Sequence, residues 1–126
     1  MRIVVSDDSQ IVRGRVKAYC KAAGHEVVGI GKNGKEGYDL CAELRPDIAI
    51  FDVSMPVMNG DVAAMAVKSE GFAKYVVLAS SQIQAATLSP VLKAGISMIS
   101  KPFAQDKFTL ELSAIISNPP KESERA

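Results

Sequence analysis

At 126 residues the chain has room for one domain with a substantial core and not for several. Its 15 basic and 14 acidic residues leave a formal charge of +1, which excludes a surface built for nucleic acid or for an anionic membrane. No apolar run reaches the length of a membrane span, the start lacks a signal-peptide pattern, and two cysteines do not make a disulfide framework; the cytoplasm is the expected setting.

Arg2-Ile3-Val4-Val5-Ser6 predicts a first strand, followed at once by Asp7-Asp8. Ser9 then caps a helix to about Ala23, with Val12, Val16, Tyr19/Cys20 and Ala23 inward, and Gly24 ends it. Glu26 to Ile30 reads as a short second strand and Asn33-Gly34 as a turn. A second helix, about Lys35 to Leu44, points Tyr38, Cys41 and Leu44 inward until Arg45-Pro46 closes it. Cys20 and Cys41 thus read as reduced core thiols.

Ile48-Ala49-Ile50-Phe51 is a run of apolar residues, two of them β-branched, that predicts a strand buried on both faces and hence parallel. It ends at Asp52 and breaks into the loop Met55-Pro56-Val57-Met58-Asn59-Gly60. An alanine-rich helix covers about Asp61 to Ser69, and Tyr75 to Ala79 is the fourth strand, ending at Ser80-Ser81. A fourth helix is predicted near Gln84 to Ala94; Pro90 fits only a first turn, so it starts late, around Ser89, and Gly95 ends it. Ser97 to Ser100 is the fifth strand, ending at Lys101-Pro102. The last helix runs from Ala104 to about Ser117 with Phe108, Leu112 and Ile115/Ile116 on its apolar side. Met55, Met58 and Met65 read as packing, and His25 as a surface turn residue. Residues 118–126 are polar and proline-broken, a tail or the start of a linker after a domain at 1–117.

Strands alternating with helices predict an α/β domain: a five-stranded parallel sheet with helices on both faces. Binding crevices of such sheets lie at the carboxyl ends of the strands. There Asp7, Asp8, Asp52, a hydroxyl at Ser80 and the Lys101 ammonium converge. Asp7-Asp8 alone is equally well read as a helix cap pair; with Asp52 and Lys101 it reads as a site. Carboxylates crowded together repel unless a cation neutralises them, and few hard oxygen ligands suit Mg²⁺. Lys101 adds a point charge for an anion beside that metal. Carboxylate, divalent cation and lysine at one spot suit phosphoryl transfer.

These residues, Asp7-Asp8, Asp52, Met55-Pro56-Val57-Met58-Asn59-Gly60, Ser80 and Lys101-Pro102-Phe103, in this order and each at a strand's end, resemble the receiver domains of bacterial response regulators over about residues 1–117. The resemblance implies the flavodoxin-like (βα)5 sandwich with strand order 2-1-3-4-5, an order carried over from the family. It implies that Asp52 accepts a phosphoryl group from a sensor histidine kinase or phosphotransfer protein. Asp7, Asp8 and Asp52, with the carbonyl of Ser54, would hold Mg²⁺. Lys101 and Ser80 would contact the phosphoryl oxygens, and the Lys101-Pro102 bond would be cis. Ser54 and Gln82 occupy positions that tune aspartyl phosphate lifetime in the family. Met98 stands where the family usually has Tyr or Phe as its rotamer switch, so the aromatic readout is missing. Output through the last helices and fifth strand, to a protein target or a second copy, is implied.

Three other readings compete. A phosphate-independent pseudo-receiver usually lacks one of the site residues, and none is missing here. A flavodoxin-type cofactor protein needs a hydroxyl-rich phosphate loop where Asp7-Asp8 stand. A haloacid-type phosphatase needs Asp-x-Asp, and Asp52-Val53-Ser54 does not supply it.

Overall fold

The computed structural model describes residues 1–80, 93–101 and 104–117. The five strands are β1 (Arg2–Ser6), β2 (Glu26–Gly31), β3 (Ile48–Asp52), β4 (Tyr75–Ser80) and β5 (Ser97–Ser100), and they form one parallel sheet ordered β2-β1-β3-β4-β5. Four helices are described: α1 (Gln10–Ala22), α2 (Gly34–Leu44), α3 (Gly60–Glu70) and α4 (Gln105–Ser117). All but the last two residues of the helix expected near Gln84 to Ala94, Gln82, the Lys101-Pro102 bond and the tail at 118–126 lie outside the described residues. Among those described, no helix is long and apolar enough to cross a membrane.

Strand alternation sorts the core into two layers. Ile3, Val5, Ile48, Ile50, Val77 and Ile99 face Val16 and Cys20 of α1 and Phe108 and Leu112 of α4. Val4, Ala49, Phe51, Val76 and Leu78 face Cys41 of α2 and Ala63, Ala64 and Val67 of α3. The middle strands β3 and β4 are buried along their whole length, which explains their unbroken apolar sequence. Burial also pushes both Cys20 and Cys41 thiols up to about 12, so they are inert packing groups.

The caps follow the sequence closely. Ser9 Oγ accepts from the Val12 N–H at 3.3 Å, and Gly24 (φ +86°) follows the end of α1. Three expectations shift. Ala23 is exposed, because the chain turns there and Ala23 becomes the C-cap. Asn33-Gly34 is a helix start and not a free turn: Asn33 Oδ1 accepts from Glu36 N–H at 2.8 Å, and Glu36 Oε1 accepts from Lys32 N–H at 2.9 Å. Met65 is 38% exposed, since α3 packs through Ala63, Ala64 and Val67 instead.

Candidate functional site

The alternation that builds the α1-side core continues past it. Val5, Ile50 and Ile99 are its last members on β1, β3 and β5. Two residues further along each strand stand Asp7, Asp52 and Lys101, on the same parity and at the same edge. Register completes the alignment, with Asp52 beside Ala79, Ser80 beside Ser100, and the Lys101 N–H bonded to the Ser80 carbonyl at 2.9 Å.

Side-chain carboxylate oxygens of Asp7, Asp8 and Asp52 lie within 4.8 Å of one another. Asp7 is buried, Asp8 exposed, and Asp52 is 9% exposed. Lys101 Nζ donates to Asp7 Oδ2 at 2.8 Å and to Asp52 Oδ1 at 3.0 Å. Its side chain is 16% exposed, so both ion pairs are sheltered from solvent screening. Burial pushes the Asp52 carboxyl above its ordinary range; the Lys101 hydrogen bond opposes this and the charges of Asp7 and Asp8 reinforce it. Burial by itself would lower the Lys101 ammonium, but the hydrogen bonds and charges of Asp7 and Asp52 outweigh it and hold the amine above its usual value.

Local backbone structure fixes each member. Asp7 Oδ1 accepts from the Ser9 N–H at 2.9 Å, an Asx turn that leads into α1. Arg13 Nη1 donates to the Asp7 carbonyl at 2.7 Å, a support that sequence reading missed. Its only signal was a long donor one turn inside the helix that follows the acidic pair. At the other end, the Gly60 N–H bonds the Val53 carbonyl at 2.8 Å, and a Cβ on Gly60 would fall on the carbonyl of Asp52. Glycine at the start of α3 thus allows the helix to press against the strand end carrying Asp52. Ser80 is buried, Ser54 is exposed just beyond β3, and Met98 packs half-buried against the α2–α3 layer.

The loop after Asp52 holds a strained residue. The Met58 N–H bonds the Pro56 carbonyl at 2.7 Å, closing a three-residue γ-turn around Val57 at φ +68°. Val57 is 81% exposed, so packing does not compensate the strain. A non-glycine residue in such a conformation costs about 1–3 kcal/mol. Glycine relieves this while adding about 0.5–1 kcal/mol of unfolded-chain entropy. Val57→Gly is expected to stabilise the protein by about 1 kcal/mol, read as a higher urea midpoint at unchanged slope; an unchanged or lower midpoint would count against the strain.

Comparison with known proteins follows the same outline. A family model of the response regulator receiver domain matches residues 3–113. The chemotaxis protein CheY of Thermotoga maritima is 31% identical over 115 residues, covering 90% of this chain and 96% of that protein. A protein-glutamate methylesterase/protein-glutamine glutaminase of Archaeoglobus fulgidus is 32% identical over 117 residues, 91% of this chain but 33% of its own length. Among solved structures, the signal receiver domain of the Mycobacterium tuberculosis response regulator NarL superposes with a TM-score of 0.83 at 27% identity, over 93% of this chain and 96% of that one. Chemotaxis protein CheY4 of Vibrio cholerae gives 0.81 at 25% identity, over 90% and 97%. With the parallel 2-1-3-4-5 sheet and the acidic cluster at its carboxyl edge, this match over most of the chain shows that the protein belongs to the response regulator receiver domains of two-component signalling.

Proposed function

We propose that the chain is a phosphorylation-dependent switch in which Asp52 accepts a phosphoryl group from the phosphohistidine of a sensor kinase or phosphotransfer protein. One observation carries the reading: Lys101 Nζ sits between two carboxylates, 2.8 Å from Asp7 and 3.0 Å from Asp52, with Asp8 in the same cluster. An Asp52 carboxylate oxygen attacks phosphorus in line with the leaving imidazole nitrogen. The new O–P bond forms as the P–N bond breaks, and the electron pair leaves with the imidazole. Lys101 then moves its hydrogen bonds from carboxylate to phosphoryl oxygen, where its charge offsets the arriving negative charge. The Ser80 hydroxyl donates to the same group and carries the change toward β5.

The donor set fits a hard divalent cation: three carboxylates with oxygens within 4.8 Å of one another. Asp7, Asp8, Asp52 and Ser54 would hold Mg²⁺, which supplies positive charge to phosphoryl oxygens in the transfer. The chain acts on no separate substrate; it promotes its own phosphorylation and dephosphorylation. Residues 1–117 form the switch and 118–126 a linker or tail. The output partner, a downstream protein or a second copy, is bound through the last helices and β5 in the cytoplasm. Met98 in place of an aromatic ring means that the readout runs through Ser80 and a flexible thioether.

Intact-mass analysis after incubation with acetyl phosphate and Mg²⁺ tests the acceptor. One phosphoryl group is expected on the wild type and none on Asp52→Ala or in EDTA. A folded wild type that gains nothing, from acetyl phosphate or from its kinase, would leave a phosphate-independent interaction module.

A further inference from the structure

Among the described residues β2 is an outer strand and pairs with β1 alone. Its stretch Val27-Val28-Gly29-Ile30-Gly31 carries none of the lysines or prolines that usually blunt a sheet edge, and Ile30 is 39% exposed. The outward backbone N–H and C=O groups of such a strand are a template for a further strand.

The two helices flanking this edge carry opposite charge. On α1, Val16 and Cys20 face the sheet and Tyr19 contacts Phe108 of α4 at 5.7 Å between ring centroids. At about 100° per residue, Arg13, Lys17 and Lys21 fall on the flank away from Tyr19, toward the β2 edge. Lys17 and Lys21 are exposed and make no ion pair among the described residues. On α2, which packs on the other face of the sheet, Tyr38 contacts Phe72 at 5.5 Å and so marks the flank toward the end of α3. Glu36, Asp39 and Glu43 lie away from it and, with Ile30 and Leu40, line a groove of about 290 Å³. Lys35 pairs with Asp39 at 2.9 Å, while Glu43 is exposed and has no ion pair among the described residues.

We propose that the β2 edge is a docking site for an extended segment of another protein whose side chains alternate between acidic and basic. Successive side chains of a strand point to opposite faces. A segment added to β2 therefore presents one parity to the α1 lysines and the other to the α2 carboxylates, and alternating charge satisfies both at once. A second copy of this chain does not. Antiparallel pairing of two β2 strands about an axis normal to the sheet keeps each helix layer on its own side. That places lysines opposite lysines and Glu43 opposite Glu43.

The test is an amide NMR titration of the full chain with the peptide Glu-Lys-Glu-Lys-Glu-Lys-Glu-Lys, beside its isomer Glu-Glu-Glu-Glu-Lys-Lys-Lys-Lys. The alternating peptide is expected to shift the amides of Val27–Gly31 in a saturable, salt-weakened manner. The isomer, and the Lys17→Glu/Lys21→Glu chain, should bind about tenfold more weakly. Phosphoryl incorporation by that double variant, unchanged from wild type, establishes that it is folded. Equal binding of the isomer, shifts that bypass β2, or no shift at all would overturn the proposal, as would self-association through β2.

Discussion

Lys101→Ala is expected to destabilise the metal-free protein by roughly 2–4 kcal/mol at pH 7, a figure taken from broken buried ion pairs and discounted for partial exposure. Removing the ammonium strands Asp7 and Asp52, whose side chains are 4% and 12% exposed, as two carboxylates with no cation between them. The pH dependence separates this from lost packing. Lys101 has a raised folded value, so its contribution is complete below the ordinary 10.5 and is lost only as pH rises through the folded value. Asp52 is also raised, from 3.8, so its ionisation opposes folding: the stability it gives below 3.8 is lost as pH rises through its folded value. The deficit of Lys101→Ala should therefore be largest at neutral pH and shrink on acidification, as Asp52 takes up a proton. Mg²⁺ should stabilise the variant more than wild type. Denaturation in EDTA and in Mg²⁺ across pH checks all three; a deficit that ignores both pH and Mg²⁺ would make the lysine a packing residue only.

Gly60→Ala is expected to cost about 3 kcal/mol or more, because the added methyl overlaps backbone and not a yielding side chain. Its Cβ would occupy the place of the Asp52 carbonyl and press on Val53 Cα, so either α3 or the end of β3 must shift. A shift of β3 also moves the Asp52 carboxylate, the proposed acceptor, away from Lys101. The variant should lose phosphoryl incorporation disproportionately to its loss of fold, measured by intact mass under conditions where circular dichroism still reports the native state. Gly71→Ala is the control: that position has open space for a Cβ but φ of +70°, so it should lose stability alone.

The sheet was legible because its strands are short apolar runs cut off by polar residues, and the cluster of acids with Lys101 was legible because those terminal residues are chemically unlike their neighbours. Asp7, Asp52 and Lys101 each stand two places beyond a core residue, so period-two alternation predicts a shared edge. What alternation does not predict is the lysine bridging two carboxylates, which depends on side-chain reach. Asn33-Gly34 misled because the same dipeptide serves a turn and a helix cap, and the bond from the Glu36 N–H to Asn33 Oδ1 at 2.8 Å shows that here it is a cap. Met65 misled because an alanine-rich helix has little apolar contrast: Ala63 and Ala64 are core here, and the larger side chain lies off that face. Arg13 stayed invisible because a side chain reaching back to a carbonyl leaves no pattern in sequence.

The hydrogen bond between Lys101 and Asp7 joins residues 94 positions apart. During synthesis, Asp7, Asp8 and Asp52 all emerge from the ribosome long before Lys101 does. Until β5 docks, Asp7 and Asp52 lack the ammonium that bridges them. On the function proposed above, competence to accept a phosphoryl group therefore waits until the domain is almost completely made.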